Sequence, residues 1–261
     1  MKNSISLKSL LPAFYFAIGI AIVGGIWELI AHLTKNEIPN PSMTWITFKE
    51  VIQQPMQDDP DIKGIGTKLL SSLKRVGIGF GIGSLIAIPL GIIMGSSKTI
   101  MAILNPIVQI LRPVSPLAWF PLGLAMFKDS PAASVFMIFI CSLWPTMINT
   151  SFGVSAIPQD HKNVGKAFGF SKWKYFIKIM LPYSLPHILT GLRLSIGIAW
   201  MVIVAGEMLS GGIGLGYFVW EEGFNGGSVA KIIVAIIIIG LVGLILDKIF
   251  MQLQKKFSYA A

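Results

Sequence analysis

Apolar runs long enough to cross a bilayer recur along this chain, at 10–33, 67–95, 100–127, 132–154, 186–209 and 230–250. A hydrocarbon core about 30 Å thick takes about 20 helical residues. Inside it every backbone N–H and C=O must find a partner within the protein, which leaves helices for runs of this kind. The expected fold class is therefore an all-α membrane protein with about six transmembrane helices. Composition agrees, with 54% hydrophobic and 13% charged residues, against about 25% charged in soluble domains. The net charge of +9 does not indicate nucleic acid, because the lysines cluster at the ends of apolar runs and form no groove-binding motif. The single cysteine, Cys141, lies inside an apolar run, so no intrachain disulfide is possible.

Leu10 to Leu33 exceeds the usual signal-peptide core and has no clean small-x-small cleavage site, so it reads as an uncleaved span. In the polar linker 34–66, Ser42 can cap a short helix that reaches about Gln54. Asp58, Asp59, Pro60 and Asp61 then read as a solvated acidic turn, without the spacing or glycine of a calcium loop. His32, His161 and His187 are scattered, so no metal site is expected. The next run starts with Lys68, Lys74 and Arg75, which suggest an interfacial helix. It then places Gly79, Gly83, Ala87, Gly91 and Gly95 at every fourth position, a ridge of small residues that lets another helix approach, with Gly77 and Gly81 as a parallel pair.

The third run cannot be one straight helix, because Pro113, Pro116 and Pro121 interrupt it. Freed backbone groups are tolerated at membrane depth only inside protein or against water. Arg112 sits beside the break, and two readings stand: a pathway residue, or an arginine that snorkels to the interface or binds a helix C-terminus. Trp119 belongs to the same broken stretch. After a tight turn at Lys128 to Pro131, the fourth run carries Asn149, either an interhelix hydrogen bond or a substrate ligand. In the fifth, Arg193 and Glu207 are roughly 21 Å apart along a helix and cannot pair with each other. Arg193 is expected to meet the carbonyls around Pro182 and Pro186, and Glu207 to pair with a cation or orient other groups. Residues 210–229 read as an external re-entrant turn with an aromatic cluster, since no Gly-Lys-Ser/Thr follows the glycines.

Between the fourth and fifth runs lies a basic island, Asn163 to Pro182. Asp160 can cap a short helix that Gly169 ends, and Ser171 can cap a second that runs to a break at Leu181-Pro182. The bland reading is a juxtamembrane helix made basic by the cytoplasm. The spacing also resembles the EAA loop of ABC-transporter permeases. Gly169, Leu181 and Pro182 fall on its fixed positions, and Asn163, Val164 and Gly165 stand where Glu-Ala-Ala would be, followed by Lys166, Ala167 and Phe168. Leu111 to Trp119 (Leu-Arg-Pro-Val-Ser-Pro-Leu-Ala-Trp) and Ala205 to Tyr217 look like the nitrate/bicarbonate branch of that family.

The resemblance covers about residues 65–250. It implies a type I ABC importer transmembrane-domain fold, preceded by a helix and external linker (1–64) and followed by a cytoplasmic tail (251–261). It implies that residues 163–169 with Leu181 and Pro182 form an ATPase-coupling helix and turn. It further implies a second copy of the chain, two ATP-binding cassette subunits that hold ATP and Mg, and an extracytoplasmic substrate-binding protein. No cofactor is expected on this chain, which is not expected to be an enzyme. Placing the elbow inside gives a multi-pass inner-membrane protein with both termini cytoplasmic, and Lys2, Lys8, Lys98, Lys162, Lys166, Lys172, Lys174, Lys178, Lys248, Lys255 and Lys256 on the inner side. Lys68, Lys74 and Arg75 run against that count. The implied substrate is a small inorganic anion, nitrate or nitrite first, with bicarbonate, cyanate or sulfonate/taurine as alternatives. Arg112, Trp119, Asn149, Arg193 and Glu207 are the candidate translocation-pathway residues. A secondary transporter or channel is the alternative of another class, and a membrane enzyme lacks a nucleophile–base pair at helical spacing.

Overall fold

The computed structural model describes residues 7–59, 63–225 and 227–257, and these are largely helical. Lys2, Pro60, Asp61 and positions 258–261 of the expected tail lie outside the described residues. The helices are α1 (Leu7–Leu33), α2 (Pro41–Gln53), α3 (Ile65–Ser96), α4 (Lys98–Leu111), α5 (Pro116–Phe127), α6 (Ser130–Ser155), α7 (Gln159–Ala167), α8 (Lys172–Tyr175), α9 (Leu181–Ser210), α10 (Leu215–Phe224) and α11 (Val229–Phe257), with a π-helical turn at Phe176–Met180 between α8 and α9. Five helical segments among the described residues are long and apolar enough to cross a membrane, and α4 with α5 forms a sixth, bent by 97°.

The bundle is built around α6, which packs lengthwise against α3 on one side and α9 on the other, with α5 alongside. The small-residue ridge of α3 makes this contact possible. Ala87 is fully buried, and a Cβ placed at Gly91 would lie 2.6 Å from the carbonyl oxygen of Met147 and from Thr150 Cβ on α6. Gly79, Gly83 and Gly95 meet α6 in the same way, while Gly77 and Gly81 face open space and take no part. Close packing of this kind supplies the attraction that lipid does not. A polar seam adds to it: Ser195 of α9 donates to the carbonyl of Ser142 on α6 at 2.6 Å and lies 2.8 Å from the Thr146 hydroxyl.

Several local expectations are corrected. The cap of α2 is Asn40, whose Oδ1 accepts from Met43 N–H at 2.9 Å, because Pro41 fills the first helical position and shifts Ser42 inside. Lys68, Lys74 and Arg75 form no separate helix; they lie in the first turns of α3, which runs unbroken from Ile65 to Ser96. The chain does not break at Leu181-Pro182. Leu181 N–H bonds back to Phe176 C=O, one residue farther than in an α-helix, and this wide turn carries the backbone past the proline into α9. Lys172–Ser210 is therefore one continuous 39-residue span. The last helix continues past Phe250 to Phe257, and the 210–229 turn contains the ten-residue α10.

α1 stands apart, tied at its end by the Trp27 indole N–H donating to Pro39 C=O at 2.9 Å. The exposed Phe14, Phe16, Ile20 and Val23 suit a lipid surface. The expected break in the third run is present: α4 ends at Leu111, Pro116 opens α5, and Lys128 closes α5 in the left-handed region at φ 53°.

Candidate functional site

The elbow is the first candidate. α7 starts after Pro158, and no side chain caps it; Asp160 lies in the first turn, where its charge suits the helix N-terminus. The helix ends in a Schellman motif: Phe170 N–H bonds to Gly165 C=O at 2.9 Å and Gly169 N–H to Lys166 C=O at 3.0 Å, with Gly169 at φ +58°. Ser171 then caps α8 by accepting from Lys174 N–H. Gly165 is buried because α7 folds against the following helix; a Cβ there would meet the Tyr175 ring at 2.9 Å. Asn163, Val164, Lys166, Ala167 and Phe168 remain exposed. Phe168 and Trp173 are 73% and 70% exposed.

The second cluster joins α9, α3 and the glycine loop at the end opposite the elbow. Glu207 is fully buried. Its carboxylate accepts from Arg75 Nη1 at 2.8 Å, from the Ser72 hydroxyl at 2.8 Å and from Gly216 N–H at 3.0 Å. Arg75 also donates to Ile213 C=O at 2.7 Å, and Ser72 accepts from Leu215 N–H at 3.1 Å. Any side chain at Gly214 would collide with the Glu207 carboxylate. Glu207 thus pairs with a cation and also orients the loop. Nearby, Lys68 lies 3.7 Å from Glu221 and over the Phe218 ring.

The remaining candidates do not converge. Arg193 does not reach the Pro182 and Pro186 carbonyls; it makes a two-pronged pair with Asp247 of α11, Nε–Oδ1 2.6 Å and Nη2–Oδ2 2.8 Å, because α11 brings a carboxylate closer. The Asn149 amide donates within its own helix, to Pro145 C=O at 2.8 Å. Trp119 packs against the large apolar core. Arg112 is exposed at the end of α4 and borders a cavity of about 630 Å³ lined also by Asn105, Val108, Gln109, Pro113 and Ile148. Asn105 and Gln109 were missed in the sequence, although 105, 109 and 112 have the i, i+4, i+7 spacing of one helical face.

This arrangement of spans is found in solved transporters. The chain superposes on the inward-facing MetNI methionine ABC transporter with a TM-score of 0.63 at 13% identity, covering 78% of this chain and all of that one. It superposes on an amino acid ABC transporter with a TM-score of 0.62 at 15% identity, covering 82% and 97%. The fold is that of a type I ABC importer transmembrane domain. Residues 87–259 match the family described as binding-protein-dependent transport system inner membrane component, and the chain belongs to that family. It is a multi-pass inner-membrane transport component. It is 39% identical to the nitrate import permease protein NrtB of Synechocystis sp., over 91% of this chain and 86% of the relative. It is 42% identical to NrtB of Leptolyngbya laminosa (88% and 82%) and 40% identical to the bicarbonate transport system permease protein CmpB of Synechococcus elongatus (88% and 84%).

Proposed function

We propose that this chain is the permease subunit of an ATP-driven importer for a small inorganic anion, nitrate or nitrite, working as a pair of copies. The observation that carries the reading is the 39% and 42% identity to permeases named for nitrate import, spread over most of both chains. Two ATPase subunits, which hold ATP and Mg, dock on the elbow through Val164, Phe168 and Trp173, and an external binding protein delivers the anion. The elbow faces the cytoplasm, with both termini on the same side. Its Lys162, Lys166, Lys172, Lys174 and Lys178 support that side. Lys68, Lys74 and Arg75 run against that count but are outnumbered by the elbow lysines, and Lys68 and Arg75 are engaged by Glu221 and Glu207. Bicarbonate is the second reading, favoured by 40% identity to a permease named for it.

Uptake by the permease reconstituted with its ATPase and binding protein tests the reading. ATP-dependent entry of labelled nitrate should exceed that of taurine at least about tenfold. Entry of bicarbonate alone transfers the assignment to the second reading, and uptake that ignores ATP points to a secondary transporter or channel. Gly169→Val places a branched side chain at positive φ, a strain of order 1–3 kcal/mol in the motif that ends α7. Nitrate uptake should fall about tenfold while the ATPase still turns over; wild-type uptake would remove the elbow from the coupling route.

A further inference from the structure

α4 has two unlike sides. Ile103, Ile107 and Ile110 are all exposed, and at about 100° per residue they form one stripe. Asn105, Gln109 and Arg112 form another, roughly 160° away. Between them in angle, Met101 receives the Ser151 hydroxyl on its sulfur at 3.8 Å, and Val108 packs with Ala87, Leu143 and Met147, so that flank of α4 is held on α3 and α6. The isoleucine stripe has the composition of a lipid-facing surface. The polar stripe does not, because an arginine with two amides inside a span belongs against water or protein. It borders the cavity of about 630 Å³ beside the α4–α5 break.

From this juxtaposition we propose that Asn105, Gln109 and Arg112 form a ladder of hydrogen-bond donors that a small planar oxyanion contacts during passage. The proposal deepens the importer reading and rests on it. The rungs span about 10 Å along the helix axis. Each offers N–H groups: two from each amide and five from the guanidinium, which carries the positive charge. Among the described residues, the cavity lining contains no carboxylate to repel an anion or neutralise Arg112. A weakly hydrated anion exchanges water for such donors one rung at a time, which favours entry without the tight hold that would block release. Asn105 and Gln109 thereby become contact residues beside Arg112.

The test uses the assembled permease–ATPase complex in proteoliposomes with its binding protein and labelled nitrate. Gln109→Glu keeps shape and turns a donor rung into a negative one; the maximal nitrate uptake rate should fall at least about tenfold. Asn105→Leu and Arg112→Ala should each lower it about fivefold or more. The half-saturating nitrate concentration, set by the external binding protein, should move less than about twofold. Wild-type uptake by assembled Gln109→Glu or Arg112→Ala overturns the ladder. Failure of Gln109→Glu and Asn105→Leu to form the complex also overturns it, by making the stripe a packing surface. If the wild type carries bicarbonate instead of nitrate, the substrate assignment falls while the same variants, assayed with bicarbonate, still decide the ladder.

Discussion

Glu207→Ala should be the most damaging single substitution outside the elbow. It leaves the Arg75 guanidinium, the Ser72 hydroxyl and Gly216 N–H without their shared acceptor in a buried site. Breaking one partner of a buried ion pair costs about 3–5 kcal/mol, a large part of a typical stability. The variant should unfold at markedly lower temperature in detergent and yield little assembled complex. Glu207→Gln keeps the shape and can still accept from Gly216 and Ser72, so its loss should be smaller. The double variant Arg75→Met with Glu207→Gln removes both charges and should recover part of it. A double variant no better than Glu207→Ala would show that the ion pair is not the source of the loss.

Gly91→Leu should prevent α3 from seating on α6. A Cβ alone already falls 2.6 Å from a backbone oxygen and from Thr150, and backbone cannot move aside as the end of a flexible side chain can. Overpacking costs about 1–3 kcal/mol per site and occasionally more; this position belongs at the upper end. Gly81→Leu is the matched control, since nothing lies within 4 Å of a Cβ there. Thermal melting of the purified permease should fall sharply for Gly91→Leu and little for Gly81→Leu. Equal melting points would show that the ridge does not seat the helices.

These two sites also show what the sequence can carry. The ridge was legible because its information is local: glycine or alanine at every fourth position defines one face of a helix before any partner is known. The broken third span was legible for the same reason, through Pro113 and Pro116. Partners were not. Arg75 and Ser72 reach Glu207 across 132 and 135 positions, and Asp247 lies 54 positions beyond Arg193. No periodicity reports such pairings, so Arg193 was assigned to the nearest unsatisfied carbonyls. The smooth passage through Leu181-Pro182 was hidden differently. Proline signals a break when α-helical hydrogen bonding is assumed, and one wide turn removes that assumption. Asn105 and Gln109 share one helical face with Arg112, but that spacing does not say what the face meets.

The uninterrupted helix from Lys172 to Ser210 has a mechanical consequence. Its 39 residues make a rod about 58 Å long, with the elbow at one end and the Glu207 carboxylate near the other. A tilt of about 10° about one end displaces the far end by about 10 Å at this length. The glycine loop at its tip is held to α9 by Glu207 and to α3 by Arg75 and Ser72, so a tilt of α9 against α3 loads those bonds first. Because these hydrogen bonds are directional, such a tilt must either carry the loop and α3 along or break the cluster at the face opposite the elbow.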